Sequence, residues 1–548
     1  MRGSRIESAE VRAALLACHE VRDAVVVPHG FGARQQLVAY VVGGPDEREF
    51  DQEQVDAWAG IFDETYGQDA TADDFDFQGR WDLSGWERSA DNSRIPVEEM
   101  DEWVTATVDR VAALRPRRVL ELGCGTGLLL SRLAPDCERY VGTDISAVAL
   151  DRLSREVAER GIGGVSLYRT PADEFSVVAG ERFDLVLINS VVQYFPSAGY
   201  LRRVVERAAS VVRPGGHVFV GDVRSLPLLG AFQLDTELEL LAERGETRTL
   251  AEFVERLRHR VQVDEELVID PAFFTGLRGV AGICHVAVEP RRGRGRNEMT
   301  KFRYDVTMRV AGRDAAVSPC SGHRVQPFGE PQPFGEPASW SGLDGLRAAL
   351  ARRPPLLAFR DLPDARVAGA IAAARRLPTA TGLDDLRAAA AAATGVEVED
   401  LYAVAEVYGY RLRLSVADGS WAGRFDAVLV DAVLDGVVPR DAVLEVPDPV
   451  PPERLTTRPL SAAAAAAFTA RLREALRATL PEHLLPTAFV HLDSLPRNEA
   501  GEIDRSVLTA TAAADGSVVG EGPQDLRPFQ VGPGGASPGG LCGGEAGR

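Results

Sequence analysis

The most regular patterning in the chain runs from Arg118 to Val220. Val119, Leu120 and Leu122 form a short apolar run. Similar runs occur at Tyr140–Val141, Val165–Tyr168, Phe183–Ile188 and His217–Val220. Continuous short runs of this kind predict parallel strands buried on both faces. Between them, apolar residues recur at helical spacing. Leu128, Leu129, Leu130 and Leu133 open one helix, and Val148, Leu150, Leu153 and Val157 mark a second over 146–160. A third, over 197–212, stops at Pro214-Gly215-Gly216. Five strands alternating with helices predict a doubly wound, mostly parallel α/β sheet with helices on both faces.

Outside that stretch the rhythm changes. Residues 1–43 predict a small α+β piece. An amphipathic helix at Glu7–Cys18 carries Val11, Leu15 and Leu16 on one face, and strands at Ala24–Val27 and Leu37–Val42 flank a glycine turn at 30–32. Residues 44–117 begin acidic and aromatic, with Trp58, Phe62, Tyr66, Phe75, Phe77 and Trp81. They end in a helix that puts Met100, Trp103, Val104, Val108, Val111 and Leu114 on one face before Pro116. Core packing accounts for most of these aromatics, and Tyr66 is the one candidate for a ligand contact. Residues 311–337 include a tandem QPFGEP repeat at 326–337, and their Pro and Gly content marks a linker. Residues 338–450 are an Ala-rich accessory α+β segment, with a low-complexity helix at Ala388–Ala393 and a hairpin turning at Asp418-Gly419. No chemistry is assigned to it. Residues 451–510 form a further small piece, and 511–548 read as a disordered tail.

Composition narrows the partners. A length of 548 residues implies more than one domain, and 45% apolar content supports sizeable cores. The net charge of -20 argues against nucleic acid or an anionic membrane as partner. No apolar run approaches a membrane span and no signal-like segment follows Met1, so a cytoplasmic protein is expected. Cys18, Cys124, Cys137, Cys284, Cys320 and Cys542 are scattered without a C-x-x-C, so no metal site is expected.

The chemistry concentrates at the first predicted crossover. Starting within the run Val119–Leu122, Glu121, Gly123, Gly125 and Gly127 fall in an E-x-G-x-G-x-G pattern, and the next strand ends at Asp144. Strand, glycine loop, helix, strand and acidic residue is the layout of a nucleoside-binding crossover, in which the acidic side chain accepts ribose hydroxyls. A dinucleotide site would place its third small residue at position 128, where this chain has Leu128. Ligands of such sheets bind beyond the carboxyl ends of the strands, which puts Glu121, Asp144, Asp173, Asn189 and Asp222 on one rim.

This pattern resembles the class I S-adenosylmethionine-dependent methyltransferases. Further runs deepen the likeness: NSVVQYFP at 189–196, GDVRSLPLL at 221–229, ELVIDPAFF at 266–274 and NEMTKFRYDV at 297–306 look like signatures of N-methyltransferases embedded in nonribosomal peptide synthetases. That likeness covers about residues 55–310, with 44–117 as lead-in and lid and 118–310 as the methyltransferase. It implies S-adenosyl-L-methionine as cofactor, contacted by Tyr66, Glu121, Gly123, Cys124, Gly125, Gly127, Asp144, Ile145, Ala172, Asp173 and Asn189. By position, Asn189, Gln193, Tyr194 and Asp222 are the catalytic candidates. For Asp222, helix capping or an ion pair with Arg224 is an equally good explanation, and for Tyr194 so is packing under the lid.

The ends resemble another family. Arg2–Glu7, Glu10 and the strands DAVVV and LVAYVV look like the start of the C-terminal subdomain of synthetase adenylation domains, beginning at the hinge of that family. LPEHLLP at 480–486 and LPRNEAGEIDR at 495–505 look like its closing motifs. The resemblance implies an adenylation C-terminal subdomain, in parts 1–43 and 451–510, split by a methyltransferase. The large adenylation core is missing, and Glu502 stands where that family has a lysine that neutralises the acyl phosphate. No adenylation by this chain alone is therefore expected. The implied substrate is the α-amino group of an aminoacyl thioester on a peptidyl carrier protein, with a separate adenylation core as a further partner. The alternatives are a catalytically silent remnant or docking fragment, and O- or C-methylation of a thioester-bound chain.

Overall fold

The computed structural model describes residues 3–18, 21–29, 36–43, 47–67, 83, 86–91, 93–262, 264, 266–311, 338–416, 423–433, 455–457, 459–492, 495 and 503. The repeat at 326–337, the turn at Asp418-Gly419, Phe75, Phe77, Trp81, Glu502 and the tail at 511–548 lie outside the described residues. The described strands are β1 (Val21–His29), β2 (Gln36–Gly43), β3 (Arg118–Leu122), β4 (Arg139–Asp144), β5 (Val165–Arg169), β6 (Phe183–Asn189), β7 (Val212–Arg224), β8 (Ile283–Pro290), β9 (Arg303–Val310), β10 (Leu356–Pro363), β11 (Tyr410–Ser415), β12 (Arg424–Asp431) and β13 (Ala488–Leu492).

Seven of them form the central sheet in the order β5-β4-β3-β6-β7-β9-β8. From β5 to β7 the neighbours are parallel. β9 is antiparallel to both β7 and β8, two strands beyond the five expected from the apolar runs. This mostly parallel sheet, with strand order reversing between β3 and β6, is the class I methyltransferase architecture. Val119, Leu120, Leu185, Val186, Leu187 and Ile188 are fully or almost fully buried, which explains their unbroken apolar runs. One face of the sheet packs under the helix Ala198–Val211, through Leu201, Val204, Val205 and Ala208. The other packs under the helix Val97–Ala112, through Met100, Trp103, Val104 and Val111.

The helix after the glycine loop is a single turn, Leu130–Leu133, followed by a 3-10 turn at Ala134–Asp136. Pro135 stops it, because a proline lacks the amide and crowds the carbonyl one turn back. The next helix, Ala147–Glu159, starts cleanly because the Ser146 hydroxyl caps the Ala149 amide.

Two smaller sheets flank this layer. β13 pairs parallel with β2, and β2 antiparallel with β1, so residues 36–43 and 488–492 share a sheet although the central sheet lies between them in sequence. Val11 and Leu15 of the helix Gly3–Leu16 pack there with Phe468, Leu472 and Leu476 of the helix Pro459–Thr479. The third sheet, β10-β12-β11, belongs to the Ala-rich segment, where β11 and β12 form the expected antiparallel pair. That segment is not a free appendage. Its helix Ala368–Arg376 packs on the helix Leu229–Arg244 through Ala370, Ile371, Leu229 and Phe232.

Candidate functional site

The loop after β3 is set by its backbone. Gly125 and Gly127 have φ of +49° and +84°, a region that side chains rarely enter. A Cβ on Gly127 would sit 2.3 Å from Leu153 Cδ1, so this position lets the loop pack on the next helix. A Cβ on Gly125 would meet only the Tyr66 hydroxyl, at 3.6 Å, so this position keeps the loop open toward a cavity. The loop is tied to the end of β4: the Gly125 amide donates to Asp144 Oδ2 at 2.8 Å and the Ser146 amide to Asp144 Oδ1 at 2.8 Å. A carboxylate has about four acceptor positions, so these two amides leave the group able to accept from a further donor.

The cavity, about 200 Å³, opens at the carboxyl ends of β3, β4 and β6. Its lining includes Tyr66, Glu121, Gly123, Cys124, Gly125, Asp144, Ile145, Ala172, Asn189, Gln193 and Tyr194. It is roofed by the helix Glu47–Gly67, which contributes Trp58, Phe62 and Tyr66. Phe62 lies 5.9 Å from Tyr66 and 5.1 Å from Tyr194 between ring centres, and Trp58 lies 4.8 Å from Tyr194. Both ends of this roof are anchored. Asp63 accepts the Ser146 hydroxyl at 2.7 Å, next to the Asp144 turn, and Asp51 pairs with Arg203 and accepts the Ser197 hydroxyl at 3.1 Å. Trp58 and Phe62 thus face the ligand space rather than a closed core, which corrects the reading of these rings as ordinary packing. Their spacing of four residues, continued at Tyr66, was the available signal for a one-sided aromatic helix.

Burial sets the protonation states. The Glu121 carboxyl is pushed up to about 8, chiefly by burial and further by the Asp144 charge, with the Tyr140 hydroxyl donating to it at 2.9 Å in partial opposition. Burial also raises Asp144, against backbone amides from Ser146, Gly125 and Ile145 that favour its charge. The Cys124 thiol is raised by burial, which keeps it protonated and inert as a nucleophile. The Tyr194 hydroxyl is raised by burial as well, so it remains a neutral phenol.

Three expected site residues fall outside the cavity lining: Gly127, Asp173 and Asp222. Asp173 accepts the Tyr200 hydroxyl at 3.1 Å and its carbonyl takes Arg207, so it braces the helix Ala198–Val211. Asp222 is fully buried. Its carboxylate accepts from the Ser190 hydroxyl at 2.7 Å, Trp103 Nε1 at 3.2 Å and Arg303 Nη1 at 2.6 Å. Burial pushes this carboxyl up, but Arg303, Arg291, Ser190 and Trp103 outweigh it and hold it below the usual range. A carboxylate so saturated and enclosed lies outside the cavity lining, unlike the catalytic placement expected of it by position. Its ion pairs are with Arg303 and Arg291, not Arg224, which is engaged by Asp264 and Glu266. Ser190, Trp103 and Arg303 do line the cavity, so Asp222 acts on it from behind.

Among the described residues no group of three His, Cys, Asp or Glu side chains is placed to hold a metal, and no helix is long and apolar enough to cross a membrane.

Residues 120–218 match the family model described as "Methyltransferase domain", so the chain carries a methyltransferase domain. The chain as a whole also has relatives. It is 34% identical over 536 residues to chondramide synthase cmdD of Chondromyces crocatus, covering 93% of this chain and 13% of that protein. It is 30% identical over 565 residues to the beauvericin nonribosomal cyclodepsipeptide synthetase of Beauveria bassiana, covering 96% of this chain and 17% of that protein. The chain thus spans well under a quarter of the length of these relatives. Solved structures that resemble it include the N-methyltransferase NodS from Bradyrhizobium japonicum WM9 in complex with S-adenosyl-l-homocysteine. That likeness has 16% identity and a TM-score of 0.30, and covers 46% of this chain and 98% of NodS. The fold assignment rests on the strand order itself.

Proposed function

We propose that this chain transfers a methyl group from S-adenosyl-L-methionine to the α-amino group of an aminoacyl thioester carried by a peptidyl carrier protein. The observation that carries the reading is the doubly tethered Asp144 at the mouth of a glycine loop, on a sheet whose switch point opens beside it. The relatives named above, synthetases by their names, support the carrier-bound substrate.

The residues fit the cofactor. Asp144 would accept two ribose hydroxyls with its free lone pairs, and the missing side chain at Gly125 leaves room for the nucleoside. Ile145, Ala172, Cys124, Gly123 and Asn189 complete the wall around it. When bound, S-adenosylmethionine supplies an electrophilic methyl for in-line displacement. The protein's part is alignment and exclusion of water. Trp58, Phe62, Tyr66 and Tyr194 cover the reacting end with apolar rings. An amine needs only its neutral form to attack, so no strong base is required. Tyr194, as a neutral phenol, is suited to orient the amine.

The domain reading follows the same line. Residues 1–43 and 451–510 are the two parts of one small adenylation C-terminal subdomain, interrupted by the lid and methyltransferase at 44–310. The β1-β2-β13 sheet supports this, because its two ends meet across the intervening domain. A carrier protein docking at the subdomain, and a separate adenylation core, are the partners. Incubation with S-adenosylmethionine and an aminoacyl-loaded carrier should release S-adenosylhomocysteine. Failure of the pure protein to bind the cofactor at all would favour the silent-remnant reading.

A further inference from the structure

Behind the cavity wall lies a cluster of buried charges around Arg291, linked to the Ala-rich unit through the Arg291 carbonyl and a more exposed arginine loop. The loop Arg291–Arg296 reads RRGRGR, and its arginines meet that unit's acidic helix start. Arg292 pairs with Glu399 through two bonds of 2.6 and 2.7 Å and lies 3.6 Å over the Tyr402 ring. Arg294 pairs with Asp400 at 2.9 Å, and Arg296 with Glu397. Arg291 points the other way, into the methyltransferase, but its carbonyl accepts Nη1 of Arg366 at 2.6 Å. Arg366 is itself buried and fixed by Asp364, with its Nη2 donating to Oδ2 at 2.6 Å.

The Arg291 guanidinium is 1% exposed. It contacts Asp305 at 3.1 Å, Asp222 at 3.4 Å and the Thr107 hydroxyl at 2.9 Å, and it lies 5.2 Å over the Trp103 ring. Asp222 then holds Ser190, Trp103 and Arg303, all three on the cavity wall. Asp222 and Ser190 both adopt left-handed backbone, with φ of +62° and +56°. Two such residues bonded to each other persist only where their surroundings over-determine them. Asp305 adds to that by accepting the Asp222 amide at 2.9 Å.

We propose that the accessory unit, residues 338–416 and 423–433, sets the geometry of the methyl-acceptor end of the cavity, with Arg291 as the positioning residue. Arg366 holds the backbone of Arg291, Arg291 holds Asp222, and Asp222 holds the wall at Ser190, Trp103 and Arg303. Buried ions tolerate the loss of one partner poorly, so a change at Arg366 is transmitted to the wall. The nucleoside end is held at Gly125 and Asp144 by separate bonds, and this chain of contacts touches its wall only through Asn189, whose side-chain amide donates to Ser190 Oγ at 3.2 Å. The inference rests on the methyl-transfer reading for its effect on turnover, but its structural core can be tested without it.

The test uses the full chain with 15N-labelled tryptophan, the indole signal of Trp103 being assigned with Trp103→Phe. Arg366→Met should shift that indole signal, change S-adenosylmethionine affinity by calorimetry far less than turnover, and lower turnover on aminoacyl N-acetylcysteamine thioesters about tenfold or more, as small misplacements do. Arg366→Lys should recover part of both effects. If Arg366→Met does not fold, Glu399→Lys loosens the same loop from its half-buried side, and adding Arg292→Glu should restore signal and turnover. A folded Arg366→Met or Glu399→Lys protein with the wild-type Trp103 signal overturns the coupling. If the wild type methylates no thioester, the methyl-transfer reading fails, while the Trp103 signal still decides the coupling.

Discussion

Asp144 joins two strands' ends through one carboxylate: Gly125 donates to Oδ2 and Ser146 to Oδ1, each at 2.8 Å. The bonds orient the side chain before any ligand arrives. They also oppose, without cancelling, the burial that raises its carboxyl above the ordinary value.

Removing that carboxylate should act mainly on the cofactor. Hydrogen bonds to a charged group are worth roughly 1.5–3 kcal/mol, so Asp144→Ala should weaken S-adenosylmethionine binding about tenfold or more. Calorimetry with an unchanged affinity would mean that the ribose lies elsewhere.

The loop glycines should separate into two kinds. Gly127→Ala adds a Cβ at φ +84° against Leu153, a core residue, so it should lower the melting temperature, a left-handed conformation alone costing roughly 1–2 kcal/mol. Gly125→Val also strains the backbone, at φ +49°, but in addition fills cavity space near Tyr66 and should abolish cofactor binding. Melting curves and calorimetry on both variants check this, and equal binding losses would remove the distinction.

Glu121 should give a pH signature. Its folded-state pKa of about 8 lies above the ordinary 4.5, so the folded protein holds this proton more tightly than the unfolded chain. The resulting stabilisation is complete below the unfolded value and is lost as pH rises through about 8. Glu121→Gln cannot titrate. The melting temperature of Glu121→Gln minus that of the wild type should therefore grow between about pH 5 and pH 9. A flat difference would mean Glu121 is not held protonated.

The aromatic roof should control cofactor release. Phe62 contacts Trp58, Tyr66 and Tyr194. Aromatic pairs contribute roughly 0.5–1.5 kcal/mol each, so Phe62→Ala should speed S-adenosylmethionine dissociation about tenfold. Stopped-flow fluorescence with an unchanged off-rate would show that the helix Glu47–Gly67 does not cover the ligand.

What the sequence made legible was local. The glycine loop, Asp144 and the five apolar strands are written as contiguous signals, because the inner parallel strands are buried on both faces and cannot alternate, although β5, at the sheet edge, is only partly buried. The two antiparallel strands were less visible: β8 has a mixed burial pattern, with partly exposed residues between buried ones. Asp222 was misread because its nearest arginine in sequence, Arg224, is not its partner. A register shift between Val220 and Val223 turns the chain there, and Arg303, eighty-one residues on, supplies the charge. The Arg291–Asp222 link and the docking of Arg366 depend on packing between separate units, which no local pattern encodes.

The measurement that tests the central claim most directly is methyl transfer to two matched carriers. One carrier is loaded with an aminoacyl group and the other with the corresponding α-hydroxyacyl group, and each is incubated with the protein and isotopically labelled S-adenosylmethionine. The thioester withdraws electrons and lowers the amine's pKa below that of a lysine side chain, so a neutral fraction is available near pH 7, whereas a hydroxyl would need deprotonation. Mass spectrometry should find one labelled methyl on the aminoacyl nitrogen and far slower labelling of the hydroxyacyl carrier. Equal labelling of both carriers, or label retained on carbon after hydrolysis, would contradict amine methylation.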